Sequence, residues 1–141
     1  MPNKTIVVNT QMAADWKVSA SIRDHALVID QPSATDAGAT PLEMFIFSLG
    51  GCISTIAKMV ARDKGIVLHG IDVKVTASIN TDGLLGKEVD TPVGFDSIDI
   101  QADIDADLTQ SEKQAFLDLV CHRCPIHDNL LNPTLVSHSA A

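Results

Sequence analysis

The sequence has no surplus of positive charge. Ten lysines and arginines stand against eighteen aspartates and glutamates, a formal net charge of −8, with a pI near 4.8. Nucleic acid and anionic membrane surfaces both select basic patches, so neither is expected as a partner. The opening residues, Met1 to Asn9, lack the apolar core of a secretory signal. The expected compartment is therefore the cytoplasm. Internal repeats and low-complexity tracts are absent as well. Only three cysteines occur, and in a reducing compartment thiols serve catalysis or metal binding more often than structural cross-linking. The single tryptophan, Trp16, and the five histidines carry no pattern of their own.

What is present reads as one globular domain spanning residues 1–141. The chain is 45% hydrophobic and 20% charged, and it is long enough to bury a real core. Thr5 to Val8 is expected to open a sheet. Val18, Ala20 and Ile22 alternate with Lys17, Ser19 and Ser21, the mark of a half-buried strand. Ala26 to Ile29 follows as a second strand after a turn at Arg23, Asp24 and His25. Pro32 to Thr40 forms a small polar loop containing Gly38. Later, Ile71 to Ile79 and Ile98 to Ala106 alternate cleanly, with one wet face each. The aspartate row on the second of these, Asp99 to Asp107, is read as a solvated strand face rather than as a set of metal ligands, since alternate positions lie well apart along a strand.

Between these strands lies a long helical stretch. Thr40 caps it, Pro41 suits its first position, and Glu43 completes a capping box. Gly65 stops it after Lys64. Its most apolar part, Met44 to Ala57, is interrupted by Ser48, Gly50, Gly51, Ser54 and Thr55 and is judged too short to span a bilayer. The first half of this helix is apolar nearly all round, so burial on most sides is expected, which calls for a partner subunit. A second capping box, Thr109 with Glu112, begins another helix that ends near His122 and Arg123, because a residue before proline avoids helical geometry.

The cysteines carry the chemistry. Cys124 precedes Pro125 and is the expected N-cap of a short final helix. There the helix dipole and free N–H groups favour thiolate, and Arg123 and His127 add positive potential. Cys52 follows Gly50 and Gly51 in the long helix and is expected to be buried. Two helical glycines cost about 1–2 kcal/mol relative to alanine, which implies a close approach of backbone or substrate beside the sulfur. Cys121 makes a C-x-x-C with Cys124, and His127 follows at the same interval. Cys121, Cys124 and His127 thus offer three zinc ligands, with Cys52, His25, His69 or His138 as a fourth. The same C-x-x-C is also a possible redox pair, though without the βαβ setting of thioredoxin.

Two motifs, Pro41-Leu-Glu-Met-Phe45 with Leu49-Gly-Gly-Cys52, and Cys124-Pro-Ile-His-Asp-Asn-Leu130, resemble those of the OsmC/Ohr family of osmotically inducible and organic-hydroperoxide-resistance proteins. His25 to Pro32 resembles that family's strand leading into a glycine-containing loop. The resemblance implies an α+β fold in which antiparallel sheets wrap long central helices in an intertwined homodimer, with an active site at each subunit interface. It implies Cys52 as the peroxidatic thiolate, attacking a small hydroperoxide to become a sulfenic acid. Cys124 is then the resolving thiol that closes a disulfide, and a dithiol reductant reopens it. No cofactor is implied. Family peroxidases activate the first cysteine with an arginine held by a glutamate near the helix start. Here Leu42 occupies the glutamate's place and Glu43 follows it. No arginine lies between Ala13 and Trp16, so Arg23 or Arg123 would serve. His127 stands where the family has serine, a placement suited to proton transfer. The substrate pocket is expected near Met44, Phe45 and Phe47. From another class, the alternative is a non-catalytic thiol protein holding a small hydrophobic ligand at the dimer interface.

Overall fold

The computed structural model describes residues 2–141. Its elements run β1 (Asn9–Met12), β2 (Val18–Ile22), β3 (His25–Ile29), α1 (Pro41–Lys64), β4 (Leu68–Ile79), β5 (Phe95–Ala106), α2 (Gln110–Arg123) and α3 (Pro125–Leu131). Three helices and two antiparallel sheets make this an α+β fold. The chain divides into two compact units, Met1–Phe45 and Ile46–Ala141.

The first unit holds the three-stranded sheet β1-β2-β3. Its expected opening strand at Thr5 to Val8 is not formed. Pairing starts at Asn9, opposite Ser21, and Ile6, Val7 and Val8 are exposed. Apolarity alone did not place the strand, because register depends on which residues find a partner. Arg23 occupies the β2–β3 turn with a φ of 55°.

After β3, Asp30 anchors the loop. It is 1% exposed, and its carboxylate accepts the Thr35 hydroxyl and the backbone N–H groups of Ala37, at 2.9 Å, and Gln31, at 2.8 Å. These donors, led by Thr35, hold its pKa below the ordinary carboxylate value. The N–H of Asp30 also donates to the Ala39 carbonyl at 3.1 Å. This brings Gly38 so close to the Val28 carbonyl that a Cβ there would collide with it. The glycine is thus required by a close backbone approach, not by a turn.

The second unit is built on most of α1, the β4–β5 pair, α2 and α3. Helix α1 starts and stops where its signals lie. Thr40 N–H donates to Glu43 Oε1 at 2.9 Å while Glu43 N–H donates to Thr40 Oγ1 at 3.2 Å. At the other end Gly65, with φ 67°, lets its N–H reach Arg62 O and lets Ile66 N–H reach Ala61 O. That is the paired C-terminal bonding only a left-handed residue permits. Leu49, Ile53, Ala57, Val60 and Ala61 are buried, with Ile104, Phe116, Val120 and Cys124, in one core cluster. Their spacing is a single helical stripe.

Within the chain α1 is buried along one stripe, and Phe47 stays 69% exposed. One expectation about α1 is corrected: at 24 residues it is long enough, by length and composition, to cross a bilayer. Its buried stripe nevertheless makes it the core helix of its unit. The hydroxyls that interrupt its apolar run are satisfied internally, Ser54 to Gly50 O and Thr55 to Gly51 O, both at 2.9 Å.

Strands β4 and β5 pair antiparallel from Leu68 opposite Ala106 to Ile79 opposite Phe95. The apolar alternation turns Ile71, Val73, Val75, Ile98, Ile100, Ala102 and Ile104 to the core. Asp99, Asp103, Asp105 and Asp107 face outward and are exposed.

Candidate active site

The break between α2 and α3 makes the site. Thr109 caps α2, accepting the Glu112 N–H at 3.2 Å. The helix would otherwise run on, but the ring of Pro125 bars helical geometry at Cys124. Cys124 takes φ −80° and ψ 114° and serves at once as C-cap of α2 and N-cap of α3. Its Sγ accepts the His127 N–H at 3.5 Å. The kink points the sulfur into the core, where Cys124 is 0% exposed.

There it meets α1. The Sγ atoms of Cys124 and Cys52 are 2.9 Å apart, across 72 residues of sequence, with Cys124 placed as donor. Both thiols are free. Cys52 is less buried than the helix pattern suggested. Cys52 is half-buried, packed at the edge of the core, whereas Cys124 is sealed. The protonation expected for Cys124 is corrected too. Burial pushes its thiol up, and the contact with Cys52 adds to this. The N–H groups of His127 and Ile126 pull the other way but do not prevail. A cap position favours thiolate only where the sulfur keeps its solvation, and here desolvation of the charge outweighs two weak donors.

The expected supporting residues have partners of their own. Arg123 donates from Nη1 to Asp63 Oδ2 at 3.0 Å, an ion pair joining α2 to the end of α1. Asp63 also binds Arg62, and these contacts, Arg123 first, hold its carboxyl below the ordinary range. The guanidinium of Arg123 is thus engaged by a carboxylate. His127 contributes its backbone N–H to the sulfur. Glu43 is occupied by the capping box, which lowers its pKa through the Thr40 N–H and hydroxyl. Arg23 stands in its turn in the first unit.

Cys121 lies half-buried in the last turn of α2. Burial, then the neighbouring Cys124 and Asp118, push its thiol up. Among the described residues, no three His, Cys, Asp or Glu side chains are grouped to hold a metal. Cys121, Cys124 and His127 therefore do not form the zinc site their spacing suggested.

The glycine pair before Cys52 is not explained by packing within the chain. A Cβ on Gly50 would meet only Val75 Cγ2 at an ordinary 3.6 Å, and one on Gly51 would meet nothing within 4 Å. Instead the pair lines an open groove of about 300 Å³ with Ile46, Phe47, Ser54, Val73 and Val75. Of the expected pocket residues, Phe47 borders this groove, while Met44 and Phe45 do not. Sequence reasoning missed Asp30 and Asp63. An aspartate just before a small polar loop is a turn signal that would have flagged the first. The second is joined to Arg123 across 60 residues and leaves no local trace.

The chain is similar to known proteins along most of its length. A protein described as a hydroperoxide reductase from Mycoplasma pneumoniae is 28% identical over 129 residues, covering 91% of this chain and 88% of that protein. The crystal structure of an OsmC-like protein from Mycoplasma pneumoniae superposes with a TM-score of 0.83 at 23% identity, covering 94% of this chain and 91% of the other. The organic hydroperoxide resistance protein OsmC of Legionella pneumophila gives 0.69 at 18% identity, covering 92% and 91%. The family model for OsmC-like proteins matches residues 34–139, a span that contains α1, the β4–β5 pair and both helices meeting at Cys124. The chain belongs to the OsmC-like protein family.

Proposed function

We propose that this protein is a thiol-dependent peroxidase that reduces organic hydroperoxides, with Cys52 as the attacking sulfur and Cys124 as the resolving one. The observation that carries the reading is the 2.9 Å approach of the two free sulfurs. A relative that is 28% identical along most of its length is a hydroperoxide reductase, which supports the same chemistry.

The division of labour rests on exposure and on the proton. Cys124 is sealed and its thiol is held protonated by burial, with its hydrogen bond aimed at Cys52. Cys52 is the thiol a substrate can reach. Its thiolate attacks the terminal peroxide oxygen, the O–O bond breaks, and the alcohol leaves with one proton. The resulting sulfenic acid is condensed by Cys124, which forms the disulfide and releases water. An external dithiol then returns both thiols and is itself oxidised. The choice of an organic hydroperoxide as substrate rests on the similarity to hydroperoxide reductases, since the groove beside Gly50 and Gly51 is not lined by Cys52. With Arg123 committed to Asp63, that residue does not supply the activating cation, and turnover is expected to be slow.

The working form in this proposal is a cytoplasmic homodimer. Exposed Leu42, Phe45, Phe47 and Met59 leave α1 with apolar surface that a second copy would cover. The test is consumption of cumene hydroperoxide with a dithiol supplied. Cys52→Ser should abolish it, and Cys124→Ser should allow one oxidation without efficient recycling. A rate unchanged in Cys52→Ser would defeat the reading. A monomeric mass in dilute native solution would defeat the dimer.

A further inference from the structure

Cys124 has two thiol neighbours. One is Cys52, at 2.9 Å. The other is Cys121, three residues earlier in the last turn of α2. The Cys124 N–H donates to the Cys121 carbonyl at 3.3 Å, so the two residues close a hydrogen-bonded turn. Such a turn holds its end Cα atoms within about 7 Å of one another. Disulfides form at Cα separations of about 4.4–6.8 Å, so this pair lies in or next to the bridging range. Cys121 and Cys124 also pack in the same core cluster.

Exposure differs sharply among the three. Cys124 is completely sealed, while Cys52 and Cys121 are both half-buried. Once a Cys52–Cys124 disulfide exists, an external reductant cannot approach the Cys124 sulfur directly. Its direct route is through Cys52. Cys121, half-buried and joined to Cys124 by a backbone turn, offers a second route to the sealed sulfur.

Resting on the peroxidase reading above, we propose that Cys121 is a third redox thiol. Its thiolate attacks Cys124 Sγ in the Cys52–Cys124 disulfide and moves the disulfide to Cys121–Cys124. One S–S bond forms and one breaks. The electron pair of the broken bond goes to Cys52, which leaves as thiolate ready for the next peroxide. The exchange involves no net oxidation, and the proton given up by Cys121 passes to solvent. A dithiol then reduces the Cys121–Cys124 bond in a second exchange, returning two thiols and becoming a disulfide itself. Attack and reduction are thereby separated, with the substrate meeting Cys52 and the reductant meeting the end of α2. The exchange needs a thiolate, which burial disfavours first at Cys121 and its neighbour Cys124 disfavours further. That contribution disappears once Cys124 is in a disulfide and no longer titrates.

The sequence makes the test direct. Arg123 lies between Cys121 and Cys124, and Lys58 and Lys113 separate Cys52 from both. Trypsin therefore puts each cysteine on its own peptide. The full chain is treated with one equivalent of cumene hydroperoxide, quenched with acid at intervals, alkylated and mapped. The expected course is a Cys52–Cys124 link first, then growth of a Cys121–Cys124 link as the first declines. Cys121→Ser and Cys121→Ala should both accumulate the Cys52–Cys124 link and lose recycling by dithiol several-fold, with circular dichroism matching wild type. The proposal is overturned if the Cys121–Cys124 link never rises above the unoxidised control, or if both variants recycle at the wild-type rate. If no Cys52–Cys124 link forms in any variant, the peroxidase reading fails first and this proposal falls with it.

Discussion

Oxidation of the Cys52–Cys124 pair should stabilise the fold by an amount the structure allows to be worked out. The two residues are 72 apart in sequence. Cross-linking a loop of that size removes denatured-state entropy worth about 4 kcal/mol at 25 °C. Native strain would subtract from this, but the sulfurs already stand 2.9 Å apart and need to close by only about 0.9 Å to reach bonding distance. With a urea m-value of about 2 kcal/mol/M, the unfolding midpoint should rise by about 2 M. The thermal midpoint should rise on the order of 15 °C, at about 3–5 °C per kcal/mol for a chain of this size. The assay uses Cys121→Ser, so that a single disulfide can form, and compares urea curves of the peroxide-oxidised and dithiol-reduced protein. Mass spectrometry confirms one link per chain. An oxidised midpoint no higher than the reduced one would refute the reasoning, since it would mean that forming the bond distorts the core as much as it constrains the unfolded chain.

Three further outcomes are expected. Gly38→Ala should cost about 1–3 kcal/mol in urea unfolding, because its methyl group would meet the Val28 carbonyl and a backbone atom yields little; a neutral substitution would show that the loop after Asp30 is free to shift. Stability should fall as pH rises above about 8.5, the ordinary thiol value. Burial raises the Cys121 and Cys124 thiols, so the folded chain holds those protons more tightly than the unfolded chain, and the stability they contribute is full below the ordinary value and lost as pH climbs through the raised one. Replacing both by alanine should flatten the urea midpoint between pH 8 and 10, a window free of tyrosine titration because the chain has none, and an equal slope in that variant would count against the account. Asp103→Lys should raise stability by a few tenths of a kcal/mol at low salt, since Asp72 and Asp103 are direct cross-strand partners and repel; the gain should fade in 1 M NaCl, and a salt-independent gain would point to a cause other than charge.

Much of the fold could be read one element at a time. Helix α1 begins at the Thr40, Pro41 and Glu43 signals and ends at Gly65, and α2 and α3 divide at the Cys124-Pro125 step. Both long strands follow their alternation, although β4 starts three residues before Ile71 and β5 three before Ile98, where the alternation was expected to begin. These features depend on sterics and hydrogen bonds within a few residues, which is why the chain's order of residues determines them. The misplaced strand at Thr5 to Val8 marks the limit of that rule, because a strand exists only where another strand supplies partners.

The site was decided at longer range. Residue types and motif resemblance singled out Cys52 and Cys124, but their 2.9 Å contact comes from packing α1 against the kinked end of α2. The same packing sealed Cys124, left Cys52 half-buried and turned the expected acidity of Cys124 around. A helix cap is visible locally, whereas desolvation depends on every atom that closes over the sulfur. Arg123 was likewise claimed by Asp63 from 60 residues away. Order along the chain thus determined the helices, the strands and the candidate thiols. Only the tertiary structure decided which thiol is sealed, which can be reached, and which charges remain to act on them, because solvent exclusion and ion pairing are properties of the assembled core.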